Sequence, residues 1–184
     1  GGQLVITKPY IPLIFFAFFL LFPLASSAIK PEQPCKRFVL YYHDILFNGT
    51  DAANATSINV TAASPSVGQN FFMGMLVVFN DPMTKDNRLW SPPAATAQGF
   101  YFYDGKSSLA AWFGFTLVFN SAEHRGTLNI MGADLITEKT RDFSVIGGTG
   151  DFFMARGIVS VQTDTFQGDF YFRLKMDVKL YECY

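Results

Sequence analysis

The sequence predicts an all-β fold, either a β-sandwich or a closed antiparallel barrel, on three observations. First, apolar side chains occupy every second position from Phe170 to Leu180, which is typical of a long strand with one buried face. Second, further β-branched and aromatic runs follow at short spacing and are separated by turn signals. Third, no stretch after Ala28 shows the 3.6-residue period of an amphipathic helix.

Seven or eight strands account for the chain after Ala28. In chain order, the predicted strands are Arg37 to Phe47, Phe72 to Asn80, Ala97 to Tyr103, Trp112 to Asn120, Gly126 to Met131, Gly157 to Thr163 and Phe170 to Tyr181. The predicted turns contain Asn80-Asp-Pro82, Ser91-Pro-Pro93, Asp104-Gly105, residues 122–126 and Gly147-Gly-Thr-Gly150. The last resembles a phosphate-binding loop but lacks the following Lys and Ser or Thr, so we interpret it as a strand connection with positive-φ glycines.

Two of these strands are apolar on both faces, which favours the barrel over the sandwich. They contain Phe100-Tyr-Phe-Tyr103 and the run from Trp112 to Phe119. The interior of a barrel takes one apolar set of side chains, and the outer set can pack against a partner subunit. We therefore expect a barrel that forms homo-oligomers.

Composition and charge narrow the class of protein. The chain has 184 residues, of which 49% are hydrophobic, and its formal net charge is −1. This apolar content excludes disorder, and the length fits one domain with a sizeable core. No basic field is present to hold a polyanion, so we expect no nucleic-acid partner.

Residues 1–28 are predicted to be a secretory signal peptide. Lys8 precedes an uncharged apolar run from Ile11 to Leu24, and small residues lead to a cleavage point near Ala28. The run spans about 14 residues, below the roughly 20 that cross a bilayer, which disfavours the alternative of a membrane anchor. The chain begins with Gly1 rather than Met, so we expect its N-terminus to be incomplete. The folded domain is then residues 29–184, with no membrane association after cleavage.

Sequons and cysteines agree with secretion. Asn48, Asn54 and Asn59 each open an Asn-x-Thr glycosylation sequon. The only cysteines, Cys35 and Cys183, lie at the two ends of the predicted domain and lack accompanying His ligands for a metal. In an oxidising compartment we expect them to form a disulfide, which would stabilise the domain by roughly 4–5 kcal/mol.

Histidine chemistry is not indicated. The chain has only His43 and His124, and it lacks Gly-x-Ser-x-Gly and His-Glu-x-x-His motifs, so neither a serine hydrolase nor a metal site is predicted. We interpret His43 as a half-buried residue with satisfied hydrogen bonds, and His124 as a solvated turn residue.

Carboxylates within apolar strands are more informative. Asp44 and Asp134 each share a strand face with apolar side chains, and burying a carboxylate is costly unless it is paired or protonated. Arg141 is a candidate partner, and Tyr101 and Tyr103 share a face from which they could donate hydrogen bonds. Two hypotheses stay open: a structural ion pair, or a pocket in which a carboxyl with a raised pKa donates a proton.

Motifs across nearly the whole predicted domain resemble those of the plant dirigent proteins. The matching segments, in order, are Tyr41-Tyr-His-Asp-Ile-Leu46, Asn54-Ala-Thr-Ser57, Ala97-Gln-Gly-Phe-Tyr-Phe-Tyr-Asp104, Phe119-Asn-Ser121, Gly132-Ala-Asp134, Thr140-Arg-Asp142, residues 147–157, Tyr171-Phe-Arg173 and Leu180-Tyr-Glu-Cys-Tyr184. One departure is Asn120-Ser-Ala122, which breaks a sequon often found in the family.

The resemblance implies an eight-stranded antiparallel barrel, usually trimeric, with one pocket in each barrel. Family members are secreted to the apoplast, are glycosylated and carry one disulfide between their ends, which matches Cys35 and Cys183. Carried over by motif, the pocket residues are Asp44, Tyr101, Tyr103, Asp134, Arg141 and Phe172.

The resemblance also implies an activity. The sequence is most similar to the subgroup that holds two coniferyl alcohol radicals, made by a separate laccase or peroxidase, and directs their coupling to pinoresinol. No cofactor is expected, because the sequence contains no metal, flavin or haem motif. In this hypothesis Asp44 and Asp134 are acids, and Tyr101 and Tyr103 donate hydrogen bonds to phenolic oxygens. Arg141 orients Asp134 or an oxygen atom of the ligand, and Phe172 forms a wall of the pocket.

Two alternatives and one finer point remain. The same acids could serve a cyclase or dehydratase of the pterocarpan-forming type, which closes a quinone methide without radicals. The barrel could also be a non-catalytic apoplastic binding protein. The segments Thr116 to Ser121 and Gly126 to Asp134 resemble the type that forms (−)-pinoresinol, so that product is expected.

Overall fold

The computed structural model describes residues 1–2, 33–61, 72–168 and 170–184. Within them the strands are β1 Lys36–Ile45, β2 Ser57–Asn59, β3 Leu76–Thr84, β4 Pro93–Tyr103, β5 Ala110–Asn120, β6 Arg125–Leu135, β7 Arg141–Gly150, β8 Arg156–Gln167 and β9 Tyr171–Glu182. The signal peptide predicted over residues 1–28 lies, apart from its first two residues, outside the described part of the chain.

The described residues contain strands and turns and no helix, as the absence of a 3.6-residue period predicts. It follows that no helix in this part of the chain is long and apolar enough to cross a membrane.

Eight strands close into one antiparallel barrel, which confirms the predicted fold class. The strand order is β1-β9-β8-β7-β6-β5-β4-β3, and pairing of β1 with β3 at Tyr41–Thr84 and Tyr42–Met83 completes the circle. The short strand β2 adds to the outer edge of β3. Every pairing between named strands is antiparallel, as sequential connections by short turns allow.

The closing seam between β1 and β3 is short. Beyond Tyr42 and Met83 the two strands separate, and the segment leading into β2 lies between them. The backbone of Thr56 bridges the gap, because its N–H donates to the Ile45 carbonyl at 2.8 Å and its own carbonyl accepts from the Asn80 N–H at 2.8 Å. We call residues 56–57 of this segment the wedge. The wedge brings the hydroxyls of Thr56 and Ser57 to the barrel wall beside Asp44.

Aromatic side chains fill the barrel interior. Tyr42 meets Phe79 edge-to-face with ring centroids 5.4 Å apart, and Phe113 stacks against Phe143 at 5.5 Å. Such contacts stabilise beyond the area they bury. The inward-facing, fully buried set also includes Val77, Leu117, Leu128, Ile130, Leu174, Met176 and Val178. Most of the barrel is therefore a packed core rather than a channel.

The predicted turn at Asn80-Asp-Pro82 is wrong, because β3 continues through it to Thr84. Proline lacks a backbone N–H and is tolerated in a sheet only where no ladder bond is needed. The Asn80 N–H points toward the wedge, so the nitrogen of Pro82, two residues on, faces the same side, where β1 and β3 have separated. The seam therefore accommodates the proline within the strand.

The predicted strand connection at Gly147–Gly150 is also wrong. These residues form the end of β7, a strand that the sequence prediction omitted, and of the four only Gly150 has a positive φ, at 61°. Gly148 is required for a different reason: a Cβ there would lie 2.3 Å from the Phe152 carbonyl oxygen. Close backbone approach, rather than a turn, explains this glycine.

A disulfide joins Cys35 and Cys183, as predicted. The sulfur atoms lie 2.03 Å apart and the Cα atoms 6.3 Å apart, across a sequence separation of 148. Pairing of β1 with β9 brings the two ends together, and the Cys35 N–H donates to the Leu180 carbonyl at 2.8 Å.

Candidate functional site

A cavity of about 50 Å³ opens at one end of the barrel, between strands β4 to β9. Five of the six pocket residues predicted from the sequence line it: Tyr101, Tyr103, Asp134, Arg141 and Phe172. The remaining lining residues are Ala111, Phe113, Ile136, Thr163, Phe166 and Leu174. Polar groups capable of hydrogen bonding thus converge within an aromatic wall, as is typical of small-molecule sites.

A larger groove of about 720 Å³ lies at the opposite end of the barrel, where β1 begins and β5 ends. Its lining includes Phe38, Lys85, Glu123 and His124, and it contains none of the predicted site residues. Lys85 and Glu123 form an exposed salt bridge across it. His124 is half-buried against the Phe152 ring, with centroids 5.3 Å apart, so it packs more closely than a solvated turn residue.

Asp134 and Arg141 form a buried ion pair beside the cavity. Asp134 lies near the end of β6 and Arg141 begins β7, so the hairpin between them places both side chains on the interior face. The Nε of Arg141 donates to Asp134 Oδ1 at 2.5 Å, and both side chains are under 5% exposed. Burial raises the pKa of Asp134, and the hydrogen bond and charge of Arg141 oppose that rise.

One donor group of the Arg141 guanidinium has no partner among the residues that the structure describes. Its Nη1 donates to Thr163 Oγ1 at 3.1 Å and to the Glu138 carbonyl at 3.5 Å. Its Nη2 is buried and has no hydrogen-bond partner among the described residues. Buried donors are almost always satisfied, so this nitrogen can bind an oxygen atom of a ligand in the cavity.

Tyr101 and Tyr103 project from β4 on the same face. The Tyr101 ring stacks on Phe113 at 4.8 Å and meets Tyr103 edge-to-face at 5.9 Å. Burial raises the pKa of both phenols, that of Tyr103 to about 12, and the charge of Asp44 adds to the effect. Both hydroxyls therefore stay protonated at neutral pH and can donate hydrogen bonds.

Asp44 does not line the cavity but lies behind its wall. It is fully buried in β1, where Ser57 Oγ donates to its Oδ1 and the Tyr42 hydroxyl donates to its Oδ2 at 3.2 Å. Burial raises the pKa of Asp44 to about 6, while hydrogen bonding from Ser57, Tyr42 and Tyr101 opposes that rise. Asp44 therefore reaches the cavity through Tyr101 rather than directly.

One buried carboxyl was missed by the sequence analysis. Asp81 is fully buried inside the barrel, and neither of its oxygens has a hydrogen-bond partner among the described residues. The sequence analysis missed Asp81 because it interpreted Pro82 and its neighbours as a turn. The alternation of Val77, Phe79, Asp81 and Met83, all of which are buried, was the pattern that could have found it.

His43 lies on the outer side of β1 and its hydrogen bonds are satisfied. Its Nδ1 and Nε2 lie 2.9 Å from the Tyr171 hydroxyl and 2.7 Å from Thr84 Oγ1. Thr84 Oγ1 donates onward to the Asp86 carbonyl at 2.5 Å, so Nε2 carries the proton and Tyr171 donates to Nδ1. The ring is fully buried rather than half-buried as predicted. Burial, followed by the charge of Arg173, lowers its pKa to about 4.

We expect His43→Gln to reduce the loss of stability at acid pH. A histidine whose pKa in the folded protein is about 4, below its ordinary 6.5, stabilises the fold above pH 6.5 and loses that contribution as pH falls toward 4. The melting-temperature difference between native protein and His43→Gln should therefore shrink by more than about 3 °C between neutral and acid pH. His124→Gln is the matched control; equal pH slopes for native protein and His43→Gln would contradict the assignment.

No group of three or more His, Cys, Asp or Glu side chains is arranged to hold a metal within the described residues. The candidate site thus consists of one ion pair, two phenols and an aromatic wall, with Asp44 and Asp81 behind it.

The sequence model of the family described as "Dirigent-like protein" matches residues 35–181. The chain belongs to the dirigent family. This confirms the family that the motifs predicted. Among curated dirigent proteins, Dirigent protein 5 of Arabidopsis thaliana is 60% identical over 176 residues, covering 94% of this chain and 96% of that protein. A dirigent protein of Sinopodophyllum hexandrum is 50% identical over 195 residues and covers all of both chains.

Solved structures of dirigent proteins share the fold. The pterocarpan synthase dirigent protein PsPTS1 aligns with a TM-score of 0.71 and 22% identity, covering 83% of this chain and 99% of that chain. The pterocarpan synthase dirigent protein GePTS1 aligns with a TM-score of 0.70 and 20% identity, covering 81% and 90%. At this level of sequence identity, the structural similarity establishes that this chain and the two solved structures share the barrel fold.

Proposed function

We propose that this dirigent protein directs the coupling of two coniferyl alcohol radicals to optically active pinoresinol, with the (−) enantiomer as the expected product. A separate oxidase, such as a laccase or a peroxidase, supplies the radicals. The observation that carries the proposal is the Nη2 of Arg141, which has no hydrogen-bond partner in the described part of the chain and lies beside Asp134 in a cavity lined by two protonated phenols. Phenolic and quinone oxygens are the ligand atoms that these donors suit.

Selectivity in this reaction is a matter of orientation. Free radicals of coniferyl alcohol couple at several carbons and on either face. Aromatic walls such as Phe113 and Phe172 hold the rings, and the donors of Tyr101 and Tyr103 bind their oxygens. Fixing two reacting carbons in one geometry selects one bond and one face, and removes much of the entropic barrier to coupling.

The coupled product is a bis-quinone methide, and each half must close a ring. The side-chain hydroxyl forms a C–O bond to the methide carbon and loses its proton, while the quinone carbonyl oxygen gains a proton as the ring regains aromaticity. No net proton or electron is consumed. A carboxyl with a raised pKa can provide the proton, and we assign Asp134, oriented by Arg141, and Asp44, acting through Tyr101, to this task.

The cavity must widen to take this ligand, because about 50 Å³ holds only a few water molecules. Among its lining residues, Phe166 is an aromatic side chain that is 65% exposed, and it stacks on Phe172 with ring centroids 6.4 Å apart. Rotation of the Phe166 ring away from the barrel would open the cavity without disturbing the packed core.

The second candidate is a cyclase of the pterocarpan-forming type. It is favoured by the shared fold with GePTS1 and PsPTS1, which are pterocarpan synthase dirigent proteins. Such an activity closes a quinone methide after loss of water and needs no oxidant, yet it draws on the same carboxyls.

One experiment separates these functions. The protein is incubated with coniferyl alcohol, with and without a laccase, and the products are resolved by chiral chromatography. We expect an enantiomeric excess of pinoresinol that requires both the protein and the oxidant. Turnover of a phenolic alcohol by loss of water, in the absence of oxidant, would favour the cyclase. Racemic product with laccase, and no turnover without it, would indicate a binding protein.

We further propose that the protein is secreted to the apoplast and glycosylated. Asn48, Asn54 and Asn59 are all exposed in the segment between β1 and β3, where a glycosylating enzyme has access.

We also propose that the protein forms a homotrimer. The support is an apolar outer face of the barrel, in which Val78 is 44% exposed and Phe100 is 40% exposed.

A further inference from the structure

The strongest unexplained feature of the molecule is the carboxyl of Asp81. It lies on the interior face of β3, with no solvent exposure and no hydrogen-bond partner for either oxygen among the described residues. No salt bridge in the described part of the chain reaches Asp81 or Asp44. An isolated buried carboxylate is so costly that the group takes up a proton instead.

Burial therefore raises the pKa of Asp81 well above its ordinary value, and the charge of Asp44 raises it further. The hydroxyls of Thr56 and Tyr42 lie near the carboxyl and act against this rise, although neither meets the geometry of a hydrogen bond with its oxygens. Full burial without a partner for either oxygen thus favours the protonated, neutral form of Asp81, which has a proton to donate.

Tyr42 connects the two carboxyls. Its hydroxyl donates to Asp44 Oδ2 at 3.2 Å, and the charges of Asp81 and Asp44 both raise its pKa. Its oxygen keeps lone pairs that can accept a hydrogen bond. Tyr42 and Asp81 lie near enough to shift each other's pKa, and the terminal torsion of an aspartate side chain is soft, so rotation of the Asp81 carboxyl can direct its O–H to the Tyr42 oxygen.

We propose that Asp81 is a positioning residue that holds a reserve proton for Asp44, linked to it by the Tyr42 hydroxyl. This inference rests on the proposed function, in which Asp44 donates a proton toward the cavity. Asp81 touches no ligand and acts only through its neighbours.

The transfer balances as a chain of O–H exchanges. Asp44 begins as the carboxylate of the pair; it takes the hydroxyl proton of Tyr42 and passes a proton on to Tyr101, as Tyr101 gives its own proton to the quinone oxygen. Tyr42 in turn takes the proton of Asp81, which becomes a carboxylate for that moment. The proton released by the attacking side-chain hydroxyl then returns along the same chain and restores Asp81.

The surroundings favour this exchange over simple ionisation. Among the described residues, the titratable groups that interact with the two carboxyls are Tyr42 on β1 and Tyr101 and Tyr103 on β4, and all three are neutral phenols. The wedge contributes only the hydroxyls of Thr56 and Ser57. A second charge would have to be buried without compensation, so the pair holds one proton over a wide range of pH.

The test is the pH profile of Asp81→Asn. Asparagine has the same shape but cannot supply a proton. With radicals from a one-electron chemical oxidant, the rate of directed pinoresinol formation by Asp81→Asn should fall about tenfold per pH unit above pH 6, or about 30-fold by pH 7.5. The native protein should change less than about threefold over that range. Asp142→Asn, which alters an exposed carboxyl on β7, is the matched control and should follow the native profile. Parallel profiles for Asp81→Asn and native protein would overturn the proposal.

A ligand-free measurement distinguishes this inference from the proposed function. Carboxyl carbon NMR of the native protein should show one buried aspartic acid still protonated at pH 7, and Asp44→Asn should retain that signal. Asp81 found as a carboxylate at pH 7 would refute the reserve proton, even if Asp81→Asn fails to fold. A protonated Asp81 in a protein that directs no coupling would instead refute the proposed function alone.

Discussion

Asp134→Asn should lower the rate of directed pinoresinol formation by 10²–10⁴-fold, the range typical of general acid–base catalysis. Asparagine keeps the shape of the side chain and can still accept the hydrogen bond from Arg141 Nε. It cannot carry a transferable proton. Ligand binding should therefore survive while ring closure fails.

The same experiment tests the structural alternative for this ion pair. Removing one partner of a buried salt bridge destabilises by about 3–5 kcal/mol, because a charge is left buried and unpaired. If Asp134 serves only to neutralise Arg141, the melting temperature should fall while the rate per folded molecule stays unchanged. Both quantities can be measured on one sample.

Asp44→Asn should also lower the rate of directed pinoresinol formation, but it should differ from Asp134→Asn in its effect on stability. No cation in the described part of the chain pairs with Asp44, so the variant leaves no buried charge behind, and the melting temperature should change little. Asp142→Asn again provides the control for loss of an acidic residue at the surface. Native rates and full enantiomeric excess in both Asp134→Asn and Asp44→Asn would remove these carboxyls from the mechanism.

Replacing both Cys35 and Cys183 by serine should lower the free energy of unfolding by about 5 kcal/mol. The bridge closes a loop with a sequence separation of 148, so its loss restores a large conformational entropy to the unfolded chain. For a domain of this size the melting temperature should fall by roughly 10–20 °C.

Urea denaturation of the double serine variant, with native protein reduced by dithiothreitol as the control, measures this effect. The reduced native protein and the serine variant should unfold at the same midpoint. A midpoint equal to that of the oxidised protein would show that the pairing of β1 with β9 alone holds the two ends together.

The sequence alone determined the class of fold and much of the site. Strand β9 was predicted almost to its ends, because its inner face is buried along Leu174, Met176, Val178 and Leu180 and its outer face is polar. The disulfide followed from two cysteines in a chain predicted to be secreted. Motifs placed five side chains that do meet around one cavity, including Asp134 and Arg141.

Only the tertiary structure decided where the strands close and what that closure does to Asp81. A proline reads locally as the end of a strand, since its missing N–H breaks a ladder. Pro82 is compatible with β3 because β1 separates from β3 there, and that gap depends on pairing between residues about 40 positions apart in the chain. Local sequence patterns contain no information about which residues of two distant strands pair. The burial of Asp81, and the position of Asp44 behind the cavity wall rather than in it, both follow from this long-range pairing.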